Sequence, residues 1–249
     1  MTPSVSPSLQ SAYANQYADP QMAAWRMLGA RAKAQNIIRV STGHSFNKVL
    51  EVGAGDGSLL ATLSNLGFAT SYTAAEISES GLAAIRQRNI RGLADACLFD
   101  GYQLPFADQA FDAVILSHVL EHVEHERLLL RELKRVARYQ IIEVPREYRP
   151  GAHRKTAFFL AYGHINLYTP TSLQFLLHTE DFSVRKLHLG LYSLQTYLYQ
   201  AKGVWGRLKA YATYYGKRLA AAIPFLRHRF INTITVLTEA SANQIKILH

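Results

Sequence analysis

From residue 22 to residue 144, short apolar runs alternate with stretches in which apolar residues recur every third or fourth position. The segment "MAAWRMLGARAKAQNIIRV", residues 22–40, has helical spacing and precedes the first strand-like run. The pattern then predicts a strand over Lys48–Val52, a helix over Ser58–Leu66, a strand over Tyr72–Glu76 and a helix over Ser80–Asn89. Strands at Ala96–Phe99 and Phe111–Ser117, a helix at Glu124–Arg138 and a strand at Tyr139–Val144 follow. Strands alternating with helices imply an α/β fold, a parallel sheet covered on both faces.

After Val144 the pattern changes. The loop "PREYRPGAHRK" is followed by "TPTSLQFLL", a helix start with Thr169 as its cap and a proline just inside it. Two further strand-like runs, Phe182–Leu189 and Asn232–Glu239, flank a long basic and aromatic segment, residues 190–231. Within that segment Leu198, Ala201, Trp205, Leu208, Ala212, Tyr215 and Leu219 share one helical face, and the basic side chains fall mostly elsewhere. This reads as one amphipathic helix, or two broken near Gly216. The Pro- and Ser-rich start, residues 1–20, reads as a disordered tail, which leaves a single domain over residues 21–249.

Composition narrows the class. At 249 residues and 49% hydrophobic the chain buries a full core. Cys97 is the single cysteine, so an internal disulfide framework is excluded, and without a Cys/His cluster of zinc-ligand spacing no metal is expected. Neither a secretory start nor an uninterrupted spanning run is present, and a cytoplasmic protein is expected. Charge is uneven: residues 1–145 carry a net −1 and residues 146–249 a net +10. That field favours anionic partners, whether phosphorylated substrates or lipid headgroups. Nucleic acid is disfavoured, because the basic residues join no recognisable nucleic-acid-binding module.

The first strand runs into a turn, "KVLEVGAGDGSLL", with glycines at 53, 55 and 57. At the carboxyl end of a parallel sheet such a turn faces the ligand cleft, and bare backbone admits a bulky ligand. Glu51 at the strand end needs a positive or donating partner, because a lone buried carboxylate is costly. Glu76 closes the second strand at the remove where an acid holds a ribose, and this favours a nucleoside-containing ligand.

"VLEVGAGDGSLL", "AEIS" and "FDGYQLPFADQAFDAVILSHVLEHV" resemble, in order and spacing, the successive motifs of class I S-adenosylmethionine-dependent methyltransferases of the type 11 and related groups. The likeness runs from about Trp25 to Leu177. It implies a Rossmann-like, doubly wound, mostly parallel seven-stranded sheet whose last strand is antiparallel. It also implies that Gly53, Gly55 and Gly57 cradle the methionine part of S-adenosylmethionine, with Glu51 near its amino group. Glu76 would hold the ribose, Ile77 pack on adenine and Asp100 accept from the adenine amino group, with Ala54, Gly101 and Ser117 completing the set. The roles suit the chemistry: a carboxylate accepts from a diol or an exocyclic amine, and a branched apolar chain suits a purine face. Asp100 as a turn cap and Ile77 as plain core are the bland alternatives.

This chain departs from the family by lacking a Lys-Pro-Gly-Gly turn before the fifth strand and by the forty-odd residues between its last two strands. Methyl transfer from a sulfonium needs a base only where the acceptor has a proton to lose. His118 and His164, beyond the fourth and fifth strands, are the candidates, whereas His122 and His125 are expected to cap or solvate the next helix. Arg146, Arg149 and His153 would overhang the acceptor and suit a phosphate or carboxylate on it. The expected activity is methylation of a small molecule, on oxygen. The inserted helix either packs on the domain or lies on an anionic membrane surface, where a lipid-linked acceptor would be within reach. An NAD-dependent oxidoreductase shares the turn and the ribose acid but not the glycine spacing. A non-catalytic cofactor-binding scaffold is the other alternative.

Overall fold

The computed structural model describes residues 22–148, 151–199 and 201–241. The expected tail, residues 1–20, lies outside them. Helix α1 (Ala23–Val40) is followed by β1 (Lys48–Val52), α2 (Ser58–Asn65), β2 (Ser71–Glu76), α3 (Glu79–Gln87), β3 (Leu93–Leu98) and β4 (Phe111–Ser117). A 3-10 turn at Leu120–His122 leads to α4 (Glu126–Val136) and β5 (Ala137–Pro145). Then come α5 (Thr156–Ala161), α6 (Pro170–Thr179), β6 (Phe182–Gly190), α7 (Leu194–Tyr199), α8 (Gly203–Ala222), α9 (Pro224–Phe230) and β7 (Thr233–Ala240).

The seven strands form one sheet in the order β3-β2-β1-β4-β5-β7-β6. The pairings among β1 to β5 are parallel, and β7 runs antiparallel to both its neighbours. Strand order reverses between β1 and β4, so the glycine turn after β1 sits at the switch point where open sheets of this kind bind ligands.

Side chains alternate across the sheet. Leu50, Val52, Val114 and Leu116 pack on one face with α4 and α6 through Leu129, Leu133, Leu173 and Leu177. Val49, Ala74, Ile115 and Ile141 pack on the other with α1, α2 and α3 through Ala34, Ile37, Leu60 and Ile85.

Three sequence readings shift. The helix read over Glu124–Arg138 ends at Val136, because Ala137 already pairs with Phe111 and the chain passes straight into β5. The third strand starts at Leu93, three residues early. The inserted segment does not break at Gly216, which lies inside α8; it breaks before Gly203 and at Pro224.

Candidate active site

The two-residue period of the strands places a row of polar side chains beneath α1. Ile115 and Ile141 belong to the α1 face, so Ser117 and Glu143, two residues further on, return to it at the sheet's carboxyl edge. Glu51 follows Val49 in the same way, and Thr235 precedes Leu237 on β7. The facing wall is a stripe of α1 at helical spacing, Arg26, Gly29, Lys33 and Asn36. Between the two walls lies a cleft of about 470 Å³. Its outer side is closed by Glu147, Phe158, Tyr162 and His164 and by Leu191, Tyr192 and Thr196 at the start of the insertion.

At the glycine turn, Gly53, Gly55 and Gly57 all adopt left-handed backbone, with φ of 69°, 58° and 73°. A side chain at Gly53 would also meet Val119 Cγ2 at 2.5 Å. Glu51 is 3% exposed and its Oε2 has no hydrogen-bond partner. Burial pushes its pKa up to about 8, with Lys33 pulling the other way and Glu76 and Asp56 adding to the rise. Ser117 Oγ is likewise buried without a partner. Unpartnered buried oxygens beside open backbone are what a zwitterionic ligand end requires, and these residues fit the methionine end of the cofactor.

Glu76 is drawn to the same turn. Its Oε2 accepts from Gly55 N at 2.8 Å and its Oε1 from Ser78 N at 3.1 Å, which leaves a carboxylate with lone pairs to spare. Gly81, unremarked in the sequence, makes this possible: a Cβ there would meet Gly55 O at 2.8 Å and Glu76 Cγ at 2.9 Å. Asp56 and its clamp were missed as well. Its Oδ2 accepts from Arg26 Nε at 2.9 Å and Arg88 Nη2 at 2.7 Å, tying α1 and the end of α3 to the turn. Asp100 Oδ1 accepts from Tyr102 N and Gln103 N, the turn-capping role. Ile77 and Asp100 are half-buried and Gly101 is buried; with Glu76 they lie outside the lining of the cleft.

His118 is a non-glycine residue in left-handed conformation, φ 56°, held by its N–H donating to Glu143 O at 2.8 Å. Its ring lies between two carboxylates, Nδ1 3.4 Å from Glu121 Oε1 and Nε2 3.4 Å from Glu143 Oε1. Burial and the Lys33 charge depress its pKa, but Glu121 and Glu143 outweigh them and hold it above the ordinary 6.5. Glu143 is fixed from behind, its Oε2 accepting from Asn36 Nδ2 at 2.9 Å and Thr235 Oγ1 at 2.6 Å. His164 Nδ1 lies 2.6 Å from Glu147 Oε2.

Other expected residues are elsewhere. Arg146, just past β5, is buried, its Nη1 reaching Arg229 O at 3.5 Å, and does not line the cleft. His153 is exposed on the 3-10 turn Ala152–Lys155, also outside the lining. Arg149 lies outside the described residues. His122 does not cap α4: its ring meets His164 edge-on, centroids 4.7 Å apart. His125 occupies the N-cap position of α4 without a side-chain cap bond.

A doubly wound seven-stranded sheet, three left-handed glycines at its switch point and an acid from the adjacent strand define the class I methyltransferase architecture. Residues 50–140 match the family described as a methyltransferase domain. The ubiquinone/menaquinone C-methyltransferase UbiE of Pseudomonas entomophila is 36% identical over 115 residues, 43% of this chain and 45% of that protein. The chain thus aligns with less than half the length of the curated relatives it matches. Among solved structures, the putative methyltransferase complexed with the Trm112 methyltransferase activator of Haloferax volcanii superposes with a TM-score of 0.69 at 14% identity, over 92% of this chain and 97% of that one. The geranyl diphosphate C-methyltransferase of Streptomyces coelicolor gives 0.64 at 11%, over 96% and 100%. At such identities the two structures speak for the fold alone.

Proposed function

We propose that the protein transfers a methyl group from S-adenosylmethionine to a small molecule bearing an acidic hydroxyl, on that oxygen. The observation that carries the reading is the polar row Glu51–Ser117–His118–Glu143, which opens into one cleft together with His164. Glu51 and the left-handed glycines would hold the methionine end, and Glu76 the ribose. When bound, the cofactor supplies a methyl group on a sulfonium, a leaving group that needs no activation. The protein's task is then alignment and removal of one proton.

His118 takes that proton. Glu121 and Glu143 on either side stabilise the imidazolium that forms, and this raised basicity suits a weakly acidic hydroxyl. His164, oriented by Glu147, stands on the acceptor side with Phe158 and Tyr162, whose rings suit an apolar or aromatic body. The printed names of relatives, a ubiquinone/menaquinone biosynthesis C-methyltransferase and a demethylmenaquinone methyltransferase, favour a second outcome, transfer to the carbon beside such a hydroxyl. Both outcomes use the same deprotonation.

The reading extends to an anionic membrane surface. Among the described residues no helix is long and apolar enough to cross a membrane. On α8 and α9, however, Trp205 is 83% and Phe225 82% exposed, with Leu208, Tyr215 and Leu219 along the same face of α8 as Trp205. This exposure supports a surface role for the face over packing on the domain. Lys202, Arg207, Lys209 and Arg218 are exposed beside it, a pairing that suits a headgroup layer.

Incubation with labelled S-adenosylmethionine and a panel of phenols, prenylated phenols and hydroxy acids tests the proposal, with products placed on oxygen or carbon by mass spectrometry and NMR. Turnover of a hydroxylated acceptor is expected. Its kcat/KM should rise with pH through an apparent pKa above 6.5, because His118 must first lose the proton its carboxylates favour. His118→Gln should remove that limb; an unchanged pH profile would sink the assignment of the base.

A further inference from the structure

Next to His118, two loops bring Glu121, which flanks that ring, together with His122 and His164. Glu121, His122 and His164 each place one ligand-capable atom within 4.8 Å of the other two. Glu121 is 1% exposed, and neither of its oxygens has a hydrogen-bond partner. The nearest ring nitrogens are His118 Nδ1 at 3.4 Å and His122 Nε2 at 3.9 Å from Oε1. A buried carboxylate without a hydrogen-bond donor is costly until a cation compensates it.

The two imidazoles are set up as ligands. His122 Nδ1 lies 3.0 Å from Gly163 O, and His164 Nδ1 lies 2.6 Å from Glu147 Oε2. An Nδ1–H donated to an oxygen leaves the lone pair on Nε2, and a carbonyl or carboxylate behind the ring is the usual support of a metal-bound histidine. The two loops are also locked together. Ile165 N and Asn166 N donate to Glu121 O at 2.9 and 3.0 Å, and Asn166 Nδ2 donates to Leu120 O and Val123 O. The three side chains are therefore positioned before any ligand arrives.

We propose that Glu121, His122 and His164 bind one divalent transition-metal ion, zinc foremost, at the acceptor side of the cleft. Two imidazoles and one carboxylate suit zinc and its neighbours, whereas magnesium and calcium prefer all-oxygen sets. Three protein ligands leave a position open, and His164 lines the cleft. The ion's role, though not its binding, rests on the methyl-transfer reading: an acceptor hydroxyl in the open position would lose its proton more readily, beside His118. The sequence hid the site because His164 stands some forty residues from the adjacent pair Glu121–His122 and the set includes no cysteine.

The test uses the full chain, stripped with a chelator and dialysed against zinc or cobalt(II). The expected result is one equivalent bound, with visible cobalt bands that zinc abolishes. Glu121→Gln and His122→Ala should each weaken binding more than tenfold, and Glu147→Gln by about ten- to a hundredfold through the support it gives His164. His153→Ala, in an exposed histidine, should change nothing. Uptake below one equivalent by the wild type, or equal uptake by folded Glu121→Gln and His122→Ala, overturns the site. Calorimetry with S-adenosylhomocysteine on the same samples separates the two claims. Nucleoside binding without metal uptake removes the metal site alone, and metal uptake without nucleoside binding removes the methyl-transfer reading alone.

Discussion

Glu51 reaches the end of β1 with its side chain turned under α1, where burial keeps it protonated up to a pH of about 8. A ligand ammonium beside it favours the ionised form, so binding at neutral pH should expel about one proton. Calorimetry in two buffers of different ionisation enthalpy measures this, and Glu51→Gln should release none. Asp56 has the opposite shift: despite burial, its bonds to Ser58 and Arg26 and the charge of Arg88 hold its pKa below 3.8. Its contribution to stability is complete above that value and disappears as pH falls through the lower folded one. Asp56→Asn should cost about 2–3 kcal/mol at neutral pH, since Arg26 and Arg88 are only partly shielded, and nothing in strong acid. Denaturant unfolding at both pH values checks the sign. Of these residues Glu51 was legible, because an acid ending an apolar run demands a partner. Asp56, Glu121 and Glu147 were not, since their partners arrive from elements 17 to 43 positions away.

Elements were legible where period and punctuation agreed. The alternation from β1 to β5 was read with errors of a few residues, and the Thr169 cap is observed, accepting from Ser172 N at 3.0 Å. Gly216 misled because one glycine costs a helix only about 1 kcal/mol, which the turns on either side of it absorb. Pro224 lacks a donor and does stop the chain. Helix α8 also shows why an amphipathic pattern leaves its partner open. The apolar face is real but uncovered, and Lys217, one of the helix's basic residues, donates to Tyr197 Oη on α7. Replacing Lys202, Arg207, Lys209 and Arg218 by Gln should weaken binding to anionic vesicles by about 1 kcal/mol per residue. Affinity for S-adenosylhomocysteine should not change. Vesicle binding absent in the unaltered protein would refute the membrane role.

At the scale of the molecule, charge and architecture divide the labour. The near-neutral first part builds β1 to β5 and the glycine turn, and the later part, net +10, adds β6, β7 and the insertion. The two meet at the cleft, where Tyr192 and Thr196 stand opposite α1 and Trp25 packs on Tyr199 with ring centroids 5.4 Å apart. An acceptor delivered from a lipid surface would thus arrive beside the polar row. Attraction of this kind is screened over about 8 Å at physiological salt, so vesicle binding should fall as salt rises while cofactor binding holds. That the chain folds as a doubly wound sheet followed from its motifs. What the insertion covers did not, because a helix's outer face is decided by what it meets. The most direct test of the whole account is calorimetry of the folded protein with S-adenosylhomocysteine. One saturable site is predicted, weakened by about 2–3 kcal/mol in Glu76→Ala through loss of carboxylate hydrogen bonds. No heat from either the methyl donor or its product, in protein shown to be folded, would contradict it.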